Sequence, residues 1–181
     1  MHLIKFEIYY FINEFNQKDL LKINNKVNLI FRNYEKKFDQ SFYKKLKNFC
    51  HLNGFKIYLA NNTEAAYKLG FNGVYLSAFN RKIIHKYKLK RNFKILGSAH
   101  NLKELKIKEK QNVDLLFLSP VFKKKNNKYL GVYNLLKYRD ITNLEVAALG
   151  GINMRNLRLL KLFGIKKFAS IELIKNTYDQ R

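Results

Sequence analysis

One short stretch in the last quarter of the chain has the residue types to grip an anion. Val146-Ala147-Ala148-Leu149-Gly150-Gly151-Ile152-Asn153 runs from apolar residues into two glycines and then to a residue that favours helix starts. Two successive residues without Cβ let main-chain N–H groups close on a phosphate oxygen, and the positive end of a following helix adds to the attraction. Ser170-Ile171 offers further N–H groups and a hydroxyl ahead of another helical pattern. The competing use of Gly150-Gly151 is a tight turn with no ligand. Polar residues recur just after other apolar runs: Asn13, Arg32-Asn33, Asn61-Asn62, Ser77, Ser98-Ala99-His100-Asn101 and Ser119-Pro120. These are small, amide-bearing or basic. The set holds no carboxylate, so it lacks the paired acid and base of a typical hydrolase.

The apolar runs that would carry these residues cover 6–12, 27–31, 56–60, 73–76, 93–97, 113–119, 145–149 and 167–170. They are short and nearly continuous in apolar character, as strands buried on both faces are. Between them, 18–24, 40–53, 63–69, 81–88, 102–110, 132–138, 154–163 and 171–177 show helical spacing, clearest in Tyr43, Leu46, Lys47 and Cys50. Thr63-Glu64 and Asn153 read as helix starts, and Gly70 and Gly164 as helix stops. Eight strands alternating with helices predict a (β/α)8 TIM barrel, short and trimmed, as a single domain over 1–181, with an open doubly wound sheet as the other solution. In a closed barrel the residues after each strand meet at one rim, and the loops after strands seven and eight are where a phosphate is often held.

Composition fits a packed domain. The chain has 47% hydrophobic residues and a single cysteine, which leaves no disulfide scaffold. Cys50, on a helical pattern, is expected to be a buried reduced thiol. The net charge of +23 is spread, with 17 Lys and Arg against 6 Asp and Glu in residues 1–90 and 19 against 7 in 91–181. That even spread argues against nucleic acid as the partner and for a surface that attracts phosphorylated small molecules. Met1-His2-Leu3-Ile4-Lys5-Phe6-Glu7 does not read as a signal peptide and no apolar run is long enough for a membrane span, so a cytoplasmic address with no membrane partner is expected.

Ser98-Ala99-His100, Val113-Asp114-Leu115-Leu116-Phe117-Leu118-Ser119-Pro120-Val121-Phe122, Leu130-Gly131 and Val146 through Ile152 resemble, in order and spacing, runs of the thiamine phosphate synthase/TenI family. Asn61-Asn62, Leu69 through Leu76 and Phe31-Arg32 are similar to its upstream segments. The resemblance implies a triosephosphate-isomerase-type barrel that joins hydroxymethylpyrimidine diphosphate to a thiazole phosphate and releases pyrophosphate, with magnesium assisting. It assigns Gly150, Gly151, Ser170 and Ile171 to the thiazole phosphate. It assigns Arg32, Ser98 and Lys124 to the reaction, and Asn61, Asn62, Asn80, His100 and Ser119 to substrate contact.

The departures bear on the chemistry. The family's synthases carry two magnesium-binding Asp residues where this chain has Asn62 and Asn80, so no metal ligand is assigned and magnesium is doubtful. The family's thiazole tautomerases carry a His where this chain has Pro120, which leaves His100 as the proton shuttle or as a structural residue. A degenerate barrel that binds a phosphorylated ligand without turnover is the alternative function. Lys123-Lys124-Lys125-Asn126-Asn127-Lys128 reads either as a lid on the phosphate pocket or as a solvated loop. Asp114 belongs to the far end of the barrel, and Tyr9, Tyr10, Phe11, Phe55, Tyr58, Phe71 and Tyr75 to the core.

Overall fold

The computed structural model describes residues 6–34, 39–84, 90–123 and 129–174. Eight strands pair in parallel, each with its sequence neighbour: β1 (Glu7–Ile12), β2 (Asn28–Phe31), β3 (Ile57–Ala60), β4 (Gly73–Leu76), β5 (Lys94–Ala99), β6 (Leu115–Leu118), β7 (Glu145–Leu149) and β8 (Lys167–Ala169). β8 returns to β1 through Glu7↔Lys167, Ile8↔Phe168 and Tyr9↔Ala169, which closes the barrel and removes both sheet edges. Helices α1 (Gln17–Leu21), α2 (Gln40–Leu52), α3 (Thr63–Lys68), α4 (Leu102–Lys110), α5 (Gly131–Asp140) and α6 (Met154–Leu162) lie between strands, and residues 172–174 start another helical turn. The (β/α)8 barrel is thus the fold, and the open sheet is ruled out.

Period-two alternation divides the apolar side chains into two cores. Tyr9, Phe11, Ile30, Tyr58, Tyr75, Leu96, Leu115, Phe117, Ala147 and Ala169 fill the interior. Ile8, Tyr10, Leu29, Phe31 and Phe168 face outward against Leu46, Leu105, Leu135, Leu157 and Leu160 from the helices. Inside, Phe117 meets Tyr9 edge-on at 5.1 Å and Phe11 meets Tyr75 at 5.1 Å. These rings are balanced by the two alanines on β7 and β8, as a fixed interior volume requires. Cys50 is buried on α2, and burial pushes its thiol up to about 12, in keeping with a structural role.

Short polar side chains start the helices. Asp39 accepts from the N–H groups of Ser41 and Phe42 ahead of α2, and Asn101 accepts from Glu104 ahead of α4. Asn153 and Asn156 cap α6 reciprocally. The cap of α3 is Asn62, which accepts from Ala65 N at 3.0 Å; Thr63 is already inside the helix. α1 ends at Leu21, short of the expected 24.

The helix expected over 81–88 is the larger departure, since Arg81 to Ile84 are not helical and 85–89 lie outside the described residues. Asn80 turns the chain locally by accepting from Lys82 N at 2.9 Å. The carbonyls left without helical partners are met from α4 and the residue after it. Lys108 Nζ donates to Ser77 O and Asn80 O, both at 2.8 Å, and Gln111 Nε2 donates to Asn80 O at 3.0 Å and Lys82 O at 2.9 Å. Lys108 and Gln111 are both 0% exposed.

Charged residues seal the barrel's other end. Lys167 pairs with Glu7 at 2.6 Å and Glu145 at 2.9 Å, Tyr9 donates to Glu7 at 2.6 Å, and Asp114 accepts from Ile95 N at 2.7 Å. Burial pushes the Glu7 carboxyl up, but the Lys167 and Tyr9 hydrogen bonds together outweigh it and hold the group below its ordinary value. Phe117→Ala should cost about 3–5 kcal/mol in urea unfolding, because the neighbouring rings cannot collapse into the space. Stability supplied by a carboxylate with a lowered folded pKa is present above its unfolded pKa and fades as pH falls through the folded one. The gap in unfolding free energy between the natural chain and Glu7→Gln should therefore narrow as pH drops from about 6 to about 3.

Candidate functional site

At the rim formed by the strands' C-terminal ends, the segments after β6 and β7 are interlocked. Val121 N donates to Leu149 O at 2.9 Å and Phe122 N to Gly150 O at 3.1 Å. Gly150 and Gly151 have φ of 92° and 69°, a region that L side chains rarely adopt. A Cβ on Gly150 would lie 2.8 Å from Pro120 Cα, and one on Gly151 would lie 2.5 Å from Phe122 O. Close packing therefore demands both glycines, whatever else they do.

One donor expected at this edge is already engaged. Among the described residues, the N–H groups of Gly151 and Ile171 meet no main-chain acceptor. Ser170 differs: its N–H donates to Tyr9 O, its hydroxyl donates to Ile152 O at 2.8 Å, and the same oxygen accepts from Leu173 N at 3.1 Å. Ser170 thus ties the last helical turn to the segment after β7 rather than presenting a free donor. The first turn of α6 is likewise occupied, because Asn153 takes the N–H groups of Arg155 and Asn156.

Across the ring, the segments after β3 and β4 form an amide and hydroxyl cluster. Asn61, itself at φ 57°, accepts at Oδ1 from Ser77 N at 3.0 Å and from Asn80 Nδ2 at 3.1 Å, while its own Nδ2 lies 2.8 Å from Ser77 Oγ. The amide that meets Asn80 is that of Asn61; Asn62 is turned away to cap α3. Arg32, after β2, lays its guanidinium 5.0 Å from the centre of the Phe11 ring. Below it Tyr75 donates to Ser98 Oγ at 2.8 Å in a buried contact. Tyr34 and Phe79 stand over this side as an exposed edge-to-face pair at 5.6 Å.

His100 and Ser119 join the two halves. His100 Nδ1 lies 2.7 Å from Ser119 O. A carbonyl only accepts, so Nδ1 carries the proton in this contact. The His100 N–H donates to Glu104 at 2.7 Å, which holds the segment after β5 in place. Lys124 lies outside the described residues, as does the rest of 124–128; Lys123 is exposed at the end of the segment after β6.

The magnesium that the resemblance implies does not suit the described residues at this rim. The oxygens of Asn61, Asn62 and Asn80 already accept from protein N–H groups, and the whole set is neutral. A hard divalent cation calls for carboxylates, and the Lys108 ammonium lies 2.8 Å from the carbonyls of Ser77 and Asn80. Among the described residues no three His, Cys, Asp or Glu side chains cluster to hold a metal. None of their helices is long and apolar enough to cross a membrane.

Sequence reasoning missed Tyr34, Phe79 and Lys108. The two aromatics look like any of the chain's many core rings until the fold puts them at the rim. Lys108 sits among alternating Lys and Glu and reads as a solvated helix residue. Its one trace is Gly97, where a Cβ would press within 3.1 Å of the Lys108 stem.

Residues 20–174 match the family model described as thiamine monophosphate synthase. A thiamine-phosphate synthase of Prochlorococcus marinus is 30% identical over 140 residues, covering 75% of this chain and 40% of that protein. One from Methanococcus vannielii is 34% identical over 89 residues, covering 47% of this chain and 43% of that protein. The chain thus spans less than half the length of these curated relatives. A thiamine phosphate pyrophosphorylase from Pyrococcus furiosus superposes with a TM-score of 0.74 at 19% identity, over 98% of this chain and 94% of that one, a likeness of fold.

Gly150→Ala forces a strained φ and a clash with Pro120 together, so the unfolding free energy should fall by roughly 1–3 kcal/mol or more. Urea titration beside Gly164→Ala checks this, since Gly164 shares a positive φ of 69° but a Cβ there meets nothing within 4 Å.

Proposed function

Because the chain belongs to the thiamine monophosphate synthase family, we propose that it joins hydroxymethylpyrimidine diphosphate to a thiazole phosphate, giving thiamine phosphate and pyrophosphate. The observation that carries this reading is the pair of N–H groups at Gly151 and Ile171, without main-chain partners among the described residues, on the rim that also holds Arg32. The first two would take the thiazole phosphate, with Gly150 and Ser170 shaping the edge behind them. The pyrimidine diphosphate would lie toward Arg32, Asn61 and Asn80, with Ser98 fixing the floor through Tyr75 and with His100 and Ser119 between the substrates.

Breaking the C–O bond to diphosphate builds negative charge on the leaving group while a C–N bond forms to the thiazole. A guanidinium that makes no ion pair among the described residues can meet that charge directly, and its effect grows as water leaves the mouth. Lys124 keeps the assignment of a second cation for the diphosphate. Magnesium takes no part in the reading, because the neutral and already bonded amides do not suit it. The proposed setting is the cytoplasm, with phosphorylated small molecules as partners.

The test is pyrophosphate release by the purified chain given both substrates, in magnesium and in EDTA. Release is expected in both, and Arg32→Ala should lower kcat by about a hundredfold, as loss of one charge-stabilising donor does elsewhere. Binding of the thiazole phosphate with no release under either condition overturns the transfer reaction and leaves a ligand-holding barrel. Release in magnesium alone overturns the metal-free reading.

A further inference from the structure

Lys108 is a fully buried lysine on the far side of α4 from solvent, and nothing in the proposed reaction touches it. Its ammonium has three acceptors, Ser77 O and Asn80 O at 2.8 Å and Gln111 Oε1 at 2.9 Å, one for each N–H of a charged amine. Burial draws its pKa down to about 8, with Glu104 pulling the other way. An ammonium held this way is costly to bury unless every donor is met. Gly97 makes the room, because a Cβ there would lie 3.1 Å from the Lys108 stem and 2.9 Å from Val113 Cγ1.

What the ammonium grips is the segment that orders the asparagine cluster. Ser77 and Asn80 supply the N–H groups that fix Asn61 Oδ1, and the segment carrying them has no helix of its own over Arg81 to Ile84. We propose that Lys108, backed by Gln111, is a positioning residue that clamps the Ser77–Asn80 segment from behind and thereby sets the diphosphate side of the site. The assignment of that side to the diphosphate rests on the function proposed above; the clamp itself does not. β4 and β8 lie four places apart in a ring of eight, so the two substrate halves sit on opposite sides of the mouth. A clamp behind β4 should act on one half and spare the other.

Lys108→Met keeps the length of the stem and removes the ammonium. In the full chain, hydrogen exchange at Ser77 and through 77–82 should quicken at least tenfold while 150–174 is unchanged. Affinity and KM for hydroxymethylpyrimidine diphosphate should weaken about tenfold, with those for the thiazole phosphate within twofold. A purely structural lysine would instead lower thermal stability with both affinities moving together or neither moving, and that result overturns the proposal. If Lys108→Met does not fold, Gln111→Leu, which removes the bonds to Asn80 O and Lys82 O, is read by the same exchange pattern and the same split. Should the natural chain bind neither ligand, the proposed reaction fails, while uniform exchange across 77–82 and 150–174 in the variants sinks the clamp independently.

Discussion

Closing eight strands into a ring fixes two things together: the volume inside and the residues that reach each rim. With Glu7, Ile8 and Tyr9 paired to Lys167, Phe168 and Ala169, the register leaves no freedom to add or drop an inward ring without a matching loss elsewhere. Four large aromatics on β1, β3 and β4, with Phe117 on β6, are therefore accompanied by Ala147 and Ala169. The same closure gathers Arg32, Asn61, Ser77, Ser119, Gly150 and Ile171 from six separate stretches of chain onto one mouth. Remove it and none of these residues has a reason to be near another.

The two halves of the mouth are stiffened by unlike means. Around β6 to β8 the chain is locked by shape, with backbone of one loop seated where glycine side chains would be. Around β3 and β4 it is locked by polar groups, with Asn61, Asn80 and Ser77 exchanging hydrogen bonds. Such a network is firm only when every member is satisfied, and among the described residues no buried side-chain polar atom lacks a partner. This completeness also explains why the amides make poor cation ligands: their oxygens already serve the fold.

The barrel was legible because its strands are nearly unbroken apolar runs at regular intervals, and the rim because each run ends in the same class of residue. The buried Cys50, the capping role of Asn153 and the structural place of Asp114 follow from local pattern as well. The 81–88 stretch misled because spacing cannot report that Asn80 bends the chain or that partners for its carbonyls wait on α4. Ser170 was legible as a polar residue at the right place, while its bonds to Ile152 and Leu173 depend on where two distant loops meet. Lys108 was invisible for a related reason, since the room for its stem comes from Gly97 on a strand rather than from its own helix.

Arg32 rests on an aromatic face and, among the described residues, on no carboxylate. Its contact with Phe11 orients the guanidinium without neutralising it, so the N–H fork stays available to whatever approaches from above. Among the described residues an arriving anion then has no resident counter-ion to evict. Capture should be governed by diffusion through a positive field, and ionic strength should slow arrival more than it hastens departure.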